Sequence, residues 1–469
     1  MILTHPSAPP TVSGRLPVLG HAAEFLRNPL PLLERGLREH GSMFTVQLAN
    51  KRAAVLLGPE HHQFFFEETD KRLSIRAGYD FFRRMFGDDF YTLADFESYK
   101  QQRGILLPRF QAKQMHRYVG VMAYETAQFI GHLGDEGSFD LLDKFGPLVM
   151  NIAAHAFLGR EFRERLDDEM FSDFRLFSEG MDPATPAWVP LPKFKRSRAA
   201  KARLDAHFVE LMRARREEPT DDEDFFQSLV NATFKSGDAV PDDILVNLIH
   251  LLVWAGHETT AGHISWGLID LLQNPEYLSA ALAQQKVLGG SMRLSMREAN
   301  ELKALEWGLK ETERMHPVAY VLIRETLEDV EHGGYFLPKG TLVFISPALA
   351  HRLPEIFPQP EQFRWNRFSR AQPRHALVGF GGGMHRCSGV NFAYLEMKVM
   401  LSLLLQQYDF RLIDASPQPV RGAATKWPAS PCRVRYRRKA DAPPVRPEEM
   451  LAYAAQMGAT ECPVDHLNV

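Results

Sequence analysis

The sequence predicts a mainly α-helical fold with a small β part. Helical periodicity dominates residues 112–282, one segment of this part is long enough to cross a whole domain, and strand-like runs occur only towards the two ends of the chain. The 469 residues include 45% apolar and 24% charged types, which is an ordinary globular composition. We expect residues 1–440 to form a single domain and residues 441–469 to form a C-terminal tail.

Charge and cysteine usage exclude several classes of protein. The 55 basic and 58 acidic side chains give a net charge of −3, which offers no basic excess for binding nucleic acid. The three cysteines, Cys387, Cys432 and Cys462, are too few for a disulfide framework and lack zinc-ligand spacing. Residues 1–21 are rich in proline and contain no apolar run of membrane-spanning length, so we expect a cytoplasmic protein without a membrane span.

The elements of the first half follow from proline positions and periodicity. Proline at a first helical turn predicts a helix at 31–40, and two strand-like runs at 44–48 and 53–57 predict a β-hairpin. Residues 171–195 mix aromatic side chains with prolines, which predicts a poor helix and a mobile lid. Further helices are predicted at 59–70, 115–133, 141–158 and 198–217.

One long helix is predicted between Pro241 and Asn274. It begins with a proline followed by two acidic residues, and it ends before Pro275. Its length of about 32 residues corresponds to roughly 48 Å. Residues 248–254 are apolar on nearly every face, so the sequence predicts a buried central helix.

The second half is predicted to contain short strands, two helices and one irregular stretch. A helix at 302–315 is stopped by a proline, and turns flank strands at 335–337 and 341–345. Residues 353–385 have little periodicity, and a long irregular stretch inside a globular chain is usually functional. The chain is predicted to end with a helix at 391–407, a strand at 432–436 and a polar tail from residue 439.

The strongest chemical signal is the glycine-rich run at 380–389. A helix is predicted to begin just after Cys387, and its free N–H groups would stabilise a thiolate there, with help from His385 and Arg386. A thiolate in a stiff loop can serve as a nucleophile or as a metal ligand. A buried cysteine beside a glycine turn is the alternative interpretation.

The order Phe380, Gly383, His385, Cys387 and Gly389 resembles the haem-binding loop of the cytochrome P450 family. The resemblance covers about residues 9–438. It implies the cytochrome P450 fold, with the long central helix over haem b and the single domain as the catalytic one. It also implies that Cys387 is the axial thiolate ligand of the iron, that Phe380 packs against the sulfur, and that His385 meets a haem propionate.

The centre of the long helix adds a second resemblance. Residues 255–260 are similar to the family's oxygen-activating motif, in which the glycine leaves room for O₂ and an acid–alcohol pair delivers protons. Gly256, Glu258 and Thr259 would take these roles. In an isolated helix the alternative is a threonine bonded back to a carbonyl and a glutamate that reaches solvent.

Glu311 and Arg314 lie three residues apart and therefore on one face of a helix. Such a pair is commonly a surface ion pair of little energetic value. The family instead buries this pair behind the haem and locks it to a later arginine, which Arg367 matches. Trp365 and Asn366 depart from the family's usual Pro and Glu just before it.

Three further residues resemble the family's propionate-binding positions: Arg324 in a strand-like run, and Tyr99 and Arg103 one helical turn apart. Electrons are expected from a separate ferredoxin or flavodoxin, because the sequence contains no flavin or iron–sulfur module. A cationic docking patch for an acidic redox protein is one interpretation of the following cluster, and a solvated helix face is the other. The cluster comprises Lys100, Arg103, Arg109 and Lys113.

Family analogy places three apolar segments around the substrate, which favours a lipophilic sterol, terpenoid or fatty-acyl compound oxidised by O₂. The alternative for many of these aromatic residues is that they fill the core. The lid contributes Phe174, Phe177, Met181 and Trp188. The predicted pocket residues are Tyr79, Phe82, Phe86, Ala255, Val318 and Leu322.

A partial resemblance to sterol 14α-demethylases rests on Tyr79, Phe81 and Phe86 and on similar runs near the cysteine loop. That branch usually has proline where this chain has Arg84, and His-Thr in place of Glu258-Thr259. Sterol demethylation is therefore one alternative function. A haem-thiolate isomerase or peroxide-using enzyme and a haem sensor without turnover are others, although neither needs an acid–alcohol pair. Cys462 could be a partner contact, but a solvated terminus is the simpler interpretation.

Overall fold

The computed structural model describes residues 7–182, 185, 189–219, 225–287, 292–414, 416–422 and 425–460, without the side chains of 112–113 and 457–460. Helices dominate this part of the chain, and three small sheets accompany them, which confirms the predicted fold class. Trp188 and Cys462 lie outside the described residues.

The helices of the first half lead from the N-terminus to the start of the central helix. They are α1 Ala22–Arg27, α2 Pro29–His40, α3 Pro59–Glu67, α4 Ile75–Gly78, α5 Arg83–Phe86, α6 Phe96–Leu106, α7 Ala112–Leu133, α8 Leu141–Leu158, α9 Arg160–Arg165, α10 Asp168–Ser178, α11 Pro192–Glu217 and α12 Phe225–Val230.

The helices of the second half begin with the central helix. They are α13 Asp242–Gln273, α14 Pro275–Val287, α15 Met296–Glu301, α16 Lys303–Met315, α17 Pro347–Ala350, α18 Val390–Gln407 and α19 Pro447–Thr460. Four 3₁₀ turns occur at Asp80–Phe82, Leu107–Phe110, Arg367–Ser369 and Gly383–His385.

The strands join distant parts of the chain. They are β1 Met43–Leu48, β2 Lys51–Leu56, β3 Leu73–Ser74, β4 Glu136–Asp140, β5 Leu322–Thr326, β6 Val330–His332, β7 Tyr335–Leu337, β8 Leu342–Ile345, β9 Tyr408–Leu412 and β10 Arg433–Arg438. The largest sheet has the order β1-β2-β8-β5-β3, so the N-terminal hairpin lies beside strands from the second half. A second sheet has the order β4-β10-β9, and β6 pairs with β7.

The central helix α13 confirms its prediction in position and in length, with 32 residues. It packs against α8 on one side and against α16 and α18 on others. Leu248, Val253 and Leu268 are fully buried, as expected for a helix that is apolar on most of its surface. The irregular stretch before the cysteine loop is also confirmed, since 353–382 contains only one 3₁₀ turn.

The predicted lid at 171–195 is corrected at both ends. Helix α10 extends to Ser178 and buries Phe174 and Phe177 in the main core, so these rings do not lie on a lid. Helix α11 begins at Pro192, which occupies a first helical turn. Among the described residues between the two helices, Met181 is partly buried.

The predicted polar tail from residue 439 is wrong for its central part. Helix α19 starts at Pro447, followed by two acidic residues, which is the same start signal as in α13. Met450 and Ala454 are buried, and α19 packs along α7. A Cβ atom on Gly120 of α7 would lie 2.7 Å from the Cβ of Ala454, so the glycine permits this close approach. The helix therefore belongs to the main core.

Candidate functional site

The cysteine loop is a tight turn that ends at the start of α18. The Cys387 N–H donates to the Phe380 carbonyl over 3.0 Å, which closes the loop. Gly381 and Gly383 have φ values of +73° and +62°, a region that favours glycine. A Cβ atom on Gly382 would lie 2.6 Å from the Phe66 ring. The three consecutive glycines are thus required by backbone conformation and by close packing.

The Cys387 side chain is exposed, although protein surrounds the thiol closely enough that burial raises its pKa. The Gly389 N–H, which hydrogen-bonds the sulfur, and the positive charges of Arg103 and Arg386 oppose this rise. The sulfur therefore has nearby groups that favour its thiolate form, and it has an open side. This is the donor chemistry that a thiolate-ligated metal requires.

A cluster of cationic and hydroxyl groups lies beside the loop, at the positions predicted for propionate binding. Arg103 Nη1 donates to the hydroxyl oxygens of Tyr99 over 3.2 Å and of Ser388 over 3.0 Å. The Tyr99 ring stacks on His385 at 4.2 Å between centroids. The structure thus brings three of the four predicted propionate residues together.

Arg324, the fourth of these residues, is buried in the same region. Its Nε donates to Thr69 Oγ1 over 2.9 Å, and its guanidinium lies over the Phe65 ring at 4.7 Å. Burial lowers its pKa, and the nearby Asp70 carboxylate opposes that shift. Within the described residues Arg324 has no acidic side chain at salt-bridge distance; a buried arginine of this kind is costly, so it suits an external carboxylate.

Asp70 was missed by sequence reasoning. Its carboxylate lies 2.5 Å from His385 Nε2, and its φ of +66° reflects the tight turn after α3. Burial lowers the pKa of His385, while the Asp70 carboxylate raises it. His385 therefore has a protein carboxylate as partner, and no local sequence signal marks a residue 315 positions away.

The residues at this site fit a haem. They supply one open thiol, the guanidinium group of Arg103, which contacts the loop, and the guanidinium group of Arg324 close to Asp70, the partner of His385. Helix α13 passes nearby, since the ring of His263 is 6.1 Å from that of Phe380. Cationic groups with incomplete pairing match the two carboxylates of such a group.

Glu311, Arg314 and Arg367 form a buried charge network. Arg314 donates two bonds to Glu311, of 2.8 and 2.9 Å, and Arg367 Nε donates to both carboxylate oxygens at 3.0 Å. Glu311 and Arg314 are fully buried. Arg314 also donates to backbone carbonyls of the irregular stretch, so the network fixes that stretch to α16. The departures at Trp365 and Asn366 leave this geometry intact.

The predicted docking patch on α6 is corrected by the inward position of Arg103. Lys100 is partly exposed and forms an ion pair of 2.5 Å with Glu97. Arg109 is partly buried, and the side chain of Lys113 lies outside the described residues. The described part of this surface thus offers less free positive charge than the sequence suggested.

The acid–alcohol pair lies in the middle of α13. The Thr259 hydroxyl is exposed and donates to the Ala255 carbonyl over 2.6 Å. Glu258 is hydrogen-bonded to Ser178, and burial raises the pKa of its carboxyl group. A Cβ atom on Gly256 would meet only Phe157, at 4.0 Å, so the helix surface is open there.

Aromatic rings line the other side of this region. The Phe82 ring lies 5.8 Å from both Tyr79 and Trp254, and the Tyr79 hydroxyl accepts a bond from the Ile323 N–H over 3.4 Å. Residues 318–323, which include Val318 and Leu322, are partly exposed, as is Ala255. Phe86 is buried and stacks on Phe90, so it supports the wall from behind.

Sequence reasoning also missed Glu313 and Tyr394. Glu313 lies between the two motif residues of α16, is buried, and accepts a bond from the Tyr394 hydroxyl of α18. Burial raises its pKa to about 7. An acidic residue at an otherwise apolar helix position is the signal that could have identified it.

Two negative findings apply to the described part of the chain. Its helices include none long and apolar enough to cross a membrane. Its His, Cys, Asp and Glu side chains form no group of three or more that could hold a metal ion.

Comparisons with known proteins agree with this geometry. The family model "Cytochrome P450" matches residues 9–426. A sterol 14α-demethylase of Mycolicibacterium vanbaalenii is 30% identical over 449 residues, which cover 92% of this chain and 98% of the relative. An obtusifoliol 14α-demethylase of Sorghum bicolor is 28% identical over 446 residues, covering 92% and 90%.

A solved structure, the retinoic acid bound cyanobacterial CYP120A1, superposes with a TM-score of 0.84 at 25% sequence identity. The match covers 93% of this chain and all of that one. The similarity therefore extends over nearly the whole described fold.

Proposed function

This chain belongs to the cytochrome P450 family, and from that premise we propose that it oxidises a bulky lipophilic substrate of the sterol, terpenoid or fatty-acyl type. Members of the family are haem-thiolate monooxygenases that use O₂ and a redox partner. The observation that carries the substrate proposal is the aromatic wall of Tyr79, Phe82 and Trp254 beside the open surface of α13.

We propose that Cys387 would supply the thiolate ligand of the haem iron and that the neighbouring cluster would hold the haem carboxylates. Bound haem supplies the oxygen-activating chemistry, and the thiolate favours O–O cleavage. Arg103, Arg324 and Tyr99 would hold the propionates, because Arg103 and Tyr99 contact the cysteine loop and Arg324 is buried close to Asp70, the partner of His385. His385 would assist from its position beside Asp70.

Thr259 and Glu258 would deliver protons. The raised pKa of Glu258 keeps a larger fraction of the carboxyl protonated than in water, which suits a proton donor. The Thr259 hydroxyl, bonded to the Ala255 carbonyl, is held at the open face of the helix. The carboxyl is in turn oriented by Ser178 of α10.

Sterol 14α-demethylation is the second candidate, because curated relatives with this activity cover nearly the whole chain. The modest identity and the changes at Arg84 and Glu258 leave room for another lipid. The retinoic acid bound structural neighbour supports that alternative, since its ligand is a lipophilic acid without a sterol ring system.

The test is a titration of the ferric, haem-loaded protein with a 14α-methyl sterol, with retinoic acid and with a long-chain fatty acid. The position of the Soret band is the measurement. A saturable blue shift with the sterol alone would support demethylation, and product analysis would identify the position oxidised. A shift only with another lipid would contradict it. The absence of a shift with every lipid would contradict the lipophilic pocket itself.

A matched pair of variants locates the binding surface. Phe82→Ala should weaken the binding of the responding lipid by about tenfold or more, since it removes a large apolar contact. Phe64→Ala, which loses a ring stacked on His332 beside the β6-β7 hairpin, should leave binding unchanged. Equal effects of both variants would contradict the proposed wall.

A ferredoxin or flavodoxin is proposed as the electron donor, and Lys100 tests whether the α6 face takes part in docking. Because Lys100 is partly exposed, its reversal to glutamate should slow reduction at low salt and have less effect at high salt. An unchanged reduction rate at low salt would remove α6 from the docking surface.

A further inference from the structure

Behind the cysteine loop lies a buried carboxyl that the proposed function does not use. Glu313 of α16 is 5% exposed. Its Oε1 accepts a bond of 2.9 Å from the Gly379 N–H, and its Oε2 accepts one from the Tyr394 hydroxyl of α18. The carboxyl therefore connects α16, α18 and the residue that precedes Phe380.

This position is unfavourable for a carboxyl group unless it is hydrogen-bonded. Burial raises the pKa of this carboxyl because it opposes the charged form. The hydrogen bonds from Tyr394 and Gly379 oppose this rise, and so do the nearby positive charges of Arg386 and Lys310. The packing leaves no room for a side chain at position 379, because a Cβ atom on Gly379 would lie 2.6 Å from Glu313 Oε1.

The contacts continue from this carboxyl to the sulfur. Gly379 is followed by Phe380, whose carbonyl accepts the Cys387 N–H over 3.0 Å. The Phe380 ring lies 5.3 Å from the Tyr394 ring, so both partners of Glu313 border the same aromatic residue. A loss of the carboxyl would free the backbone on one side of Phe380 and the ring packing on the other.

We propose that Glu313 is a positioning residue that, through Gly379 and Tyr394, holds Phe380 and thereby the Cys387 thiolate in its ligating position. This role rests on the assignment of Cys387 as the axial ligand. It differs from the role of Glu311, two residues earlier, whose bonds go to arginines and to the Arg364 N–H of the irregular stretch.

Three variants separate positioning from simple stability. Glu313→Leu removes both acceptors and leaves the Gly379 N–H and the Tyr394 hydroxyl unpaired. Glu313→Gln retains an acceptor for Gly379 and can donate to the Tyr394 oxygen. Thr312→Val is the matched control, because Thr312 is buried on the same helix but donates to Asp270 of α13 over 2.8 Å, away from the loop.

The measurement is the ferrous–carbonyl spectrum of the haem-loaded variants, followed over time in mild urea, together with the midpoint of global unfolding. We expect Glu313→Leu to lose the thiolate-ligated spectrum about tenfold faster than the parent, since an unpaired buried polar group shifts an equilibrium by about that factor. Glu313→Gln should restore the parent rate. Thr312→Val should lower the unfolding midpoint without that spectral change.

Equal rates of spectral loss in Glu313→Leu and Thr312→Val, at matched unfolding midpoints, would overturn the proposal. If Glu313→Leu does not fold, Tyr394→Phe tests the same connection, because it removes one donor and keeps the ring; a parent-like rate there would also count against it. Cys387→Ser is the separate arm: persistence of the thiolate spectrum in that variant would refute the ligand assignment itself, independently of Glu313.

Discussion

The two sides of the candidate site are built differently. On the cysteine side, polar groups from separate elements bond to one another, as Glu311 of α16 does with Arg367 of the irregular stretch. On the side of α13, the Thr259 hydroxyl bonds only within its own helix, and aromatic rings make up most of the surroundings.

This difference indicates a division of tasks. Buried polar networks with complete pairing fix a single geometry, which suits the ligand of a metal centre. Apolar contacts between rings such as Tyr79 and Phe82 are less directional. Residues of this wall can therefore be replaced, and the substrate preference altered, without loss of the fold. The following predictions test that contrast, beginning with the largest expected effect.

Replacement of Cys387 by serine should abolish the thiolate-type carbonyl spectrum and reduce product formation below detection, because serine cannot supply the sulfur ligand. The measurement is haem content and the ferrous–carbonyl spectrum of the purified protein. Cys432→Ser is the control, since this buried cysteine donates to Asp140 and lies just before β10 of the second sheet. A thiolate spectrum in Cys387→Ser would show that another cysteine is the ligand.

Glu311→Ala should cost about 3–5 kcal/mol in the free energy of unfolding, because it leaves the buried charges of Arg314 and Arg367 uncompensated. Urea unfolding measures this quantity. Glu24→Ala removes a partly exposed ion pair with Arg35 and should cost less than about 1 kcal/mol. Similar losses in the two variants would show that the network behind the loop is not energetically special.

Thr259→Ala should lower product formation by about 100-fold and divert reducing equivalents to peroxide, because proton delivery is impaired. The ratio of product to peroxide is the measurement. Ser265→Ala removes the same type of bond on the same helix, from a hydroxyl to the carbonyl four residues earlier, at a fully buried position. Parent-like coupling is expected there, and a loss in both variants would point to the helix rather than to the hydroxyl.

Gly256→Ala should stabilise the protein by up to about 1 kcal/mol, because alanine is the better helix former and its methyl group has space. In the haem-loaded enzyme the same methyl should weaken carbon monoxide binding several-fold if this surface admits diatomic ligands. Gly267→Ala is the contrasting variant, since its Cβ would lie 2.9 Å from Leu309 and should destabilise the helix packing. Unchanged carbon monoxide affinity in Gly256→Ala would separate Gly256 from ligand access.

Much of the fold was predictable because its signals are local. The proline and acids at the start of α13 and the hairpin residues between β1 and β2 define elements without tertiary information. Pro447 with Glu448 and Glu449 carries the same signal, and its omission made α19 appear as a tail. The residues that bury the aromatic side chains of α10 are distant along the chain. No local signal therefore distinguishes these buried rings from the rings of a lid.

The residues of the site likewise divide into those with a local sequence signal and those without one. The spacing within 380–389 and between Glu311 and Arg314 is visible in the sequence, and the structure brings Arg367 to that pair. The partners Asp70 and Tyr394 have no local signature, because their roles arise from contacts across 315 and 81 residues. The direction of Arg103, towards the loop and away from the surface, is likewise a tertiary property.

The contact of α19 with α7 has a consequence for the order of folding during synthesis. The Gly120 face of α7 is synthesised early, whereas Met450 and Ala454, which cover it, lie much later in the chain. Domains fold as units, and exposed apolar surface on incomplete ones promotes aggregation. The nascent chain therefore carries an uncovered core face until α19 has left the ribosome.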